Sequence, residues 1–151
     1  MHLSNFLFSS SINLSLTPHE KHAALEEVMS LLRYDKRIVD WNEFSQKIMA
    51  TPGFSFPVNE KQAVMIYHGR TNSIRDLVIS VGRSKEGISF QESIQPVNFL
   101  FVIGIPSALN NEYLRMMGAI ARICKNESTF KKLLLTENGD EFIAMLSDEN
   151  N

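Results

Sequence analysis

The sequence predicts an α/β protein, a three-layer α/β/α sandwich on a small mixed sheet, in the order β-α-α-β-β-β-α-α-α. Three observations predict it. Two segments, Gln62 to Tyr67 and Val97 to Ile103, are almost wholly apolar, the pattern of strands covered on both faces. Helical periodicity occupies both ends of the chain around a central set of strands, which puts helices on both sides of one sheet. At 151 residues the chain is long enough for one substantial core, and residues 1–151 read as a single domain without linker or repeat.

Leu3 to Phe8 reads as a short turn or helix, and Ile12 to Leu16 alternates as a strand, with Ile12, Leu14 and Leu16 on one face. Thr17, Pro18 and Glu20 then supply an N-cap, an N1 proline and an N3 acid for a helix. Ala24, Leu25, Val28, Met29, Leu31 and Leu32 form its apolar side. His19 and His22 fall in its first turns without a third ligand, so no metal site is expected there. Asp40 caps a second helix anchored by Trp41, Phe44 and Ile48 and stopped at Thr51-Pro52-Gly53. Phe54 to Lys61, with two aromatics and Pro57, reads as a loop over the core.

Three strands follow, Gln62 to Tyr67, Asp76 to Val81 and Val97 to Ile103. The polar run Gly82 to Gly87 reads as a surface turn, and Ile88-Ser89-Phe90 as a small edge strand. Beyond Pro106 the pattern is helical: Glu112 to Cys124, then Glu127 to Leu135 capped by Asn126, then Gly139 to Leu146. Met116, Met117 and Met145 are expected as core filler.

Composition removes several classes of function. Hydrophobic residues at 44% and charged residues at 21% are the balance of a soluble globular chain. A formal net charge of −2 leaves no electrostatic footprint for nucleic acid. Met1 to Leu16 lacks the basic start of a signal peptide. The longest apolar run, Val97 to Ile105, is about half what a membrane-spanning helix needs. A cytoplasmic protein, not integral to a membrane, is expected. The single cysteine, Cys124, precludes an internal disulfide and lies on an apolar helix face, where it reads as buried and inert. The paired carboxylates Glu26-Glu27 and Asp140-Glu141 read as solvated helix surface.

No phosphate-binding loop, dinucleotide fingerprint, nucleophile elbow or metalloprotease motif occurs. No metal and no cofactor is therefore expected. What remains is His68, at the exit of an apolar strand, where α/β proteins place ligand chemistry. Gly69 is expected to turn the backbone sharply, and Arg70, Thr71 and Ser73 supply a fixed charge and two hydroxyls. A neutral imidazole beside such donors suits phosphoryl acceptance. The plainer alternative is a histidine that only finishes a strand.

Taken together, Val64-Met65-Ile66-Tyr67-His68-Gly69-Arg70, the turn Val81 to Phe90, the strand Pro96 to Ile103 and the helix Leu114 to Arg122 resemble a known family. It is the IIA component of the bacterial phosphoenolpyruvate-dependent sugar phosphotransferase system, of the fructose, mannitol and nitrogen-regulatory (type 2) class. The likeness spans about the whole chain, and it lies in the order and spacing of elements rather than in any one motif.

The resemblance implies that His68 is the phosphorylated residue, with Gly69, Arg70, Thr71 and Tyr113 binding or supporting the phosphate. It implies a phosphohistidine carrier that takes phosphate from the carrier protein HPr. That carrier passes phosphate to a IIB component in sugar transport, or uses it as a signal towards a regulatory target, as in nitrogen regulation. Several positions depart from the family pattern. Tyr67 stands where a proline usually precedes the histidine, adding bulk. Met49-Ala50 stands where an Arg-Glu pair is usual, and Phe54 to Lys61 lacks the family's Thr-Gly-rich loop. Tyr113 stands where many members carry a second, assisting histidine. These departures leave a second reading, a regulatory interaction module with a dismantled phosphate site. A third is an unrelated α/β binding domain.

Overall fold

The computed structural model describes residues 3–109 and 111–146. Ahead of the first strand, 3-10 turns cover Leu3–Asn5 and Ser9–Ser11. The regular elements are β1 (Ile12–Asn13), α1 (Lys21–Ser30), α2 (Trp41–Ala50), β2 (Phe54–Pro57) and β3 (Ala63–Thr71). They continue as β4 (Val78–Ile88), β5 (Val97–Pro106), α3 (Asn111–Lys125), α4 (Glu127–Leu135) and α5 (Gly139–Leu146). The strands form one five-stranded sheet in the order β1-β4-β5-β3-β2. β3 runs parallel to β5 and β1 to β4, while β4 is antiparallel to β5 and β2 to β3. The mixed sheet and the three layers are those the sequence predicts.

Alternation along the strands divides the core in two. Val64 and Ile66 of β3, Ile79 and Val81 of β4, and Phe99, Phe101, Ile103 and Ile105 of β5 pack against α3, α4 and α5. Ala63, Met65 and Tyr67, with Val78, Leu100 and Val102, face α1 and α2 on the other side. Because β3 and β5 carry apolar residues at both parities, each can serve both layers at once. Cys124 is fully buried, and loss of water pushes its thiol up to about 12. Met116 is fully buried, and Met117 and Met145 pack against the same core.

Four expectations are corrected. First, α1 begins at Lys21, not after Thr17, and Glu20 is its N-cap, accepting from the backbone N–H groups of Ala23 (2.8 Å) and His22 (3.2 Å). The preceding backbone is drawn into extended pairing instead, with Ser89 N–H donating to the His19 carbonyl. Second, Phe54 to Pro57 is an edge strand paired antiparallel with β3 rather than part of a loop. Third, Gly82 to Gly87 is not a surface turn but the middle of β4, with an irregular register between Arg83 and Ile88. Asn98 Nδ2 donates to the Ser84 carbonyl at 2.9 Å across this irregularity, and Gly87 takes a φ of 96° there. Fourth, β3 does not end before His68. It runs on to Thr71 in register with β5, and Gly69 stays extended opposite Gly104.

Asp40 caps α2 by accepting from Glu43 N–H, and Asn126 caps α4 by accepting from Thr129 N–H. No helix among the described residues is long and apolar enough to cross a membrane.

Candidate functional site

His68 lies near the C-terminal end of the parallel pair β3 and β5, opposite Ile103. Counting in steps of two from Val64 and Ile66 puts its side chain on the face covered by α3. The imidazole is half-buried there. Tyr113, the third residue of α3, meets it: the phenol oxygen is 3.0 Å from His68 Nδ1, and the ring centroids are 4.6 Å apart at 37°. So the first turn of α3, the positive end of its dipole, sits against the histidine. Loss of water lowers the His68 pKa below its ordinary value and raises that of Tyr113. Both shifts favour the neutral form. Among the described residues, Nε2 of His68 has no hydrogen-bond partner, which leaves it open to an incoming group.

Arg70 projects from the same side of β3 and is exposed. Its Nε and Nη2 donate to the Ser107 carbonyl at 3.2 and 2.8 Å, and Ser107 N–H donates to the Thr71 carbonyl. The guanidinium is held beside the strand end by the segment that leaves β5. Ser107 escaped the sequence reading because a backbone carbonyl acceptor leaves no residue-type signal.

The remaining predicted residues turn the other way. Thr71 is buried on the α2 side, where its hydroxyl donates to Glu43 Oε2, as does the Ser73 hydroxyl at 2.6 Å. Those hydroxyls, Ser73 first, hold the Glu43 carboxyl below the usual carboxylate range. A Cβ on Gly69 would come within 3.1 Å of Ile48 Cδ1, so this glycine admits α2 rather than turning the chain. The structure thus pairs His68 with Tyr113 and sets Arg70 two residues further along the same face of β3, while Gly69 and Thr71 lie on the opposite face, against α2.

Tyr67 also points away from His68. It is 1% exposed, and its hydroxyl donates to Glu92 Oε2 at 2.8 Å. Lys21 Nζ reaches the same oxygen at 3.3 Å. Burial raises the Tyr67 pKa, as does the adjoining Glu92 carboxylate. Its bulk therefore fills the α1–α2 layer and does not crowd the face of the imidazole. Met49 and Ala50, both exposed, end α2 in that same layer. Among the described residues no group of three or more His, Cys, Asp or Glu could hold a metal ion.

Residues 5–149 match the family model described as the phosphoenolpyruvate-dependent sugar phosphotransferase system, EIIA 2. The chain belongs to that family. It is 24% identical over 152 residues to the fructose-specific EIIABC component of Bacillus subtilis, covering 99% of this chain and 24% of that protein. The chain thus spans about a quarter of the length of that relative. It is 27% identical over 133 residues to the fructose-specific EIIA component of Haloferax volcanii, covering 84% of this chain and 82% of the relative.

Among solved structures, the nitrogen regulatory protein IIA-Ntr of Neisseria meningitidis superposes with a TM-score of 0.76 at 20% identity, over 95% of this chain and 98% of that one. The Escherichia coli complex of enzyme IIA-Mtl with phosphorylated enzyme IIB-Mtl gives 0.73 at 18% identity, over 93% and 96%. These two likenesses carry the fold.

Proposed function

We propose that this protein is a phosphoryl carrier in which His68 accepts phosphate from an HPr-type phosphocarrier protein. The phosphate then passes to a IIB component, or serves as a signal to a regulatory target protein. Membership of the EIIA 2 family supports the carrier class. The observation that carries the residue assignment is the pairing of His68 with Tyr113 through Nδ1, which leaves Nε2 open. In the reaction, an Nε2 lone pair attacks the phosphorus of the donor's phosphohistidine. The donor P–N bond breaks as the Nε2–P bond forms, and the donor imidazole leaves with the ring proton that His68 gives up. Arg70 supplies a fixed positive charge beside the incoming oxygens, and the first turn of α3 favours their negative charge. The protein works in the cytoplasm, where its phosphorylated partners are.

The test is transfer from phosphoenolpyruvate, through enzyme I and HPr, to the protein and to its His68→Ala variant. The expected result is an acid-labile, base-stable phosphate on the wild type and none on the variant. A folded wild type that stays unlabelled while a family member is labelled in parallel would reject the carrier role for that HPr. It would favour a regulatory interaction module, the reading to which Tyr113, Met49 and Ala50 lend weight.

A further inference from the structure

Resting on the reading of His68 as the phosphate acceptor, we infer that Tyr113 is a positioning residue that holds phosphate on His68, by donating its hydroxyl hydrogen to Nδ1 of the phosphorylated ring. Among the described residues the Tyr113 hydroxyl has one hydrogen-bond partner, Nδ1 of His68 at 3.0 Å. A phenol can donate or accept. With no other acceptor for its hydrogen among the described residues, donation to Nδ1 is the arrangement that uses it. In the resting protein this sets the neutral imidazole as the Nε2–H tautomer.

The consequence lies in the phosphorylated state. Phosphorylation at Nε2 replaces the Nε2 proton. The ring is then neutral only if Nδ1 carries a lone pair, and that lone pair is what the Tyr113 hydroxyl already addresses. Before attack, the proton moves through water from Nε2 to Nδ1, and the hydroxyl rotates to accept it. Nε2 then takes the phosphoryl group while the donor's P–N bond breaks. The Nδ1 proton passes through water to the departing donor imidazole, and the hydroxyl rotates back to donate. No heavy atom of the protein has to move.

Loss of phosphate needs the reverse. A phosphoimidazole leaves readily only when Nδ1 is protonated, because departure as a neutral imidazole is far easier than as an imidazolate. A hydroxyl that donates to the Nδ1 lone pair must give up that hydrogen bond and turn before Nδ1 can be protonated, and this opposes the protonation. The Tyr113 ring, 4.6 Å from the imidazole centroid, also covers part of the ring from water. A tyrosine here therefore favours a phosphohistidine that persists between encounters over one that empties quickly.

Two measurements test this, and neither uses the protein donor. Imidazole 15N NMR of the resting wild type is expected to show Nε2 protonated and Nδ1 as a hydrogen-bond acceptor. The opposite tautomer overturns the inference. Second, His68 is phosphorylated chemically with potassium phosphoramidate, and the half-life of the phosphate is followed at one fixed pH. Removing one hydrogen bond in Tyr113→Phe is expected to shorten it about three- to ten-fold. Tyr113→His, which keeps a donor, is expected to recover part of the loss. An unchanged or longer half-life in Tyr113→Phe, with the His68 resonances still those of a folded protein, overturns the inference. If HPr fails to label the protein while both measurements come out as expected, the donor assignment fails and the role of Tyr113 stands.

Discussion

Burial of the His68 imidazole removes part of the water that would stabilise its charged form, so protonation favours the unfolded chain. The direction of the linkage follows from that. The folded pKa lies below the unfolded one, so stability is complete above the ordinary imidazole value of about 6.5 and declines as pH falls through it. Urea unfolding between about pH 5 and pH 8 is expected to show the wild type losing stability on acidification by more than His68→Gln does. Equal losses would mean that the ring is as well hydrated when folded as when unfolded. His68 itself was legible from an apolar strand followed by Gly and Arg, and Tyr113 from the family resemblance. Thr71 and Tyr67 were misjudged for one reason. Ending the strand at Tyr67 discards the alternation of faces, and that alternation alone places both side chains opposite His68.

At the scale of elements, the site depends on how closely α2 lies on the sheet beneath it. Gly69 and Gly104 are partners across β3 and β5, and both present bare backbone to α2 and its neighbours. A Cβ on Gly104 would meet Ile74 Cδ1 at 2.5 Å, Val78 Cγ2 at 2.6 Å and Phe44 Cε1 at 3.0 Å. On Gly69 the nearest atom would be the movable Ile48 Cδ1 at 3.1 Å. Gly104→Ala is therefore expected to lower stability by about 1–3 kcal/mol, and Gly69→Ala by clearly less, as read from urea midpoints. Equal effects would show that α2 can lift off the sheet at either place. The capped helices α2 and α4 were legible because side-chain caps and turn residues are local. β2 was not, because its four residues, Pro57 among them, satisfy a ladder on one side only, which a sequence window scores as loop.

Over the whole molecule, the two helical layers are tied to one sheet, and one tie away from the site is a buried arginine. Arg83 pairs with Phe99 on β5, four positions from Ile103 opposite His68 and so roughly 13 Å along the strand. Its side chain has no exposed surface. Nε donates to the Leu14 carbonyl at 3.0 Å, and Nη1 to the carbonyls of Leu133 and Thr136 at the end of α4. One guanidinium thus joins the segment after β1, the middle of β4 and the C-terminal end of α4, where a positive charge also suits the helix dipole. This explains how a charged residue sits inside a strand that reads as a turn: its donors are matched to carbonyls contributed by distant parts of the chain, and Nη2 lies 3.5 Å from the Glu137 carboxylate. Arg83→Met keeps much of the volume but leaves those carbonyls without a donor, and is expected to cost on the order of 3 kcal/mol in urea unfolding. Transfer to His68 in the folded variant should be unchanged, since the strand ends around His68 are untouched. A cost under about 1 kcal/mol would mean that water from the adjoining cleft, lined by Ser15, Thr17, Ser84 and Lys85, takes over the carbonyls. A loss of transfer without loss of stability would mean that β4 passes a shift at Arg83 along the sheet to the histidine.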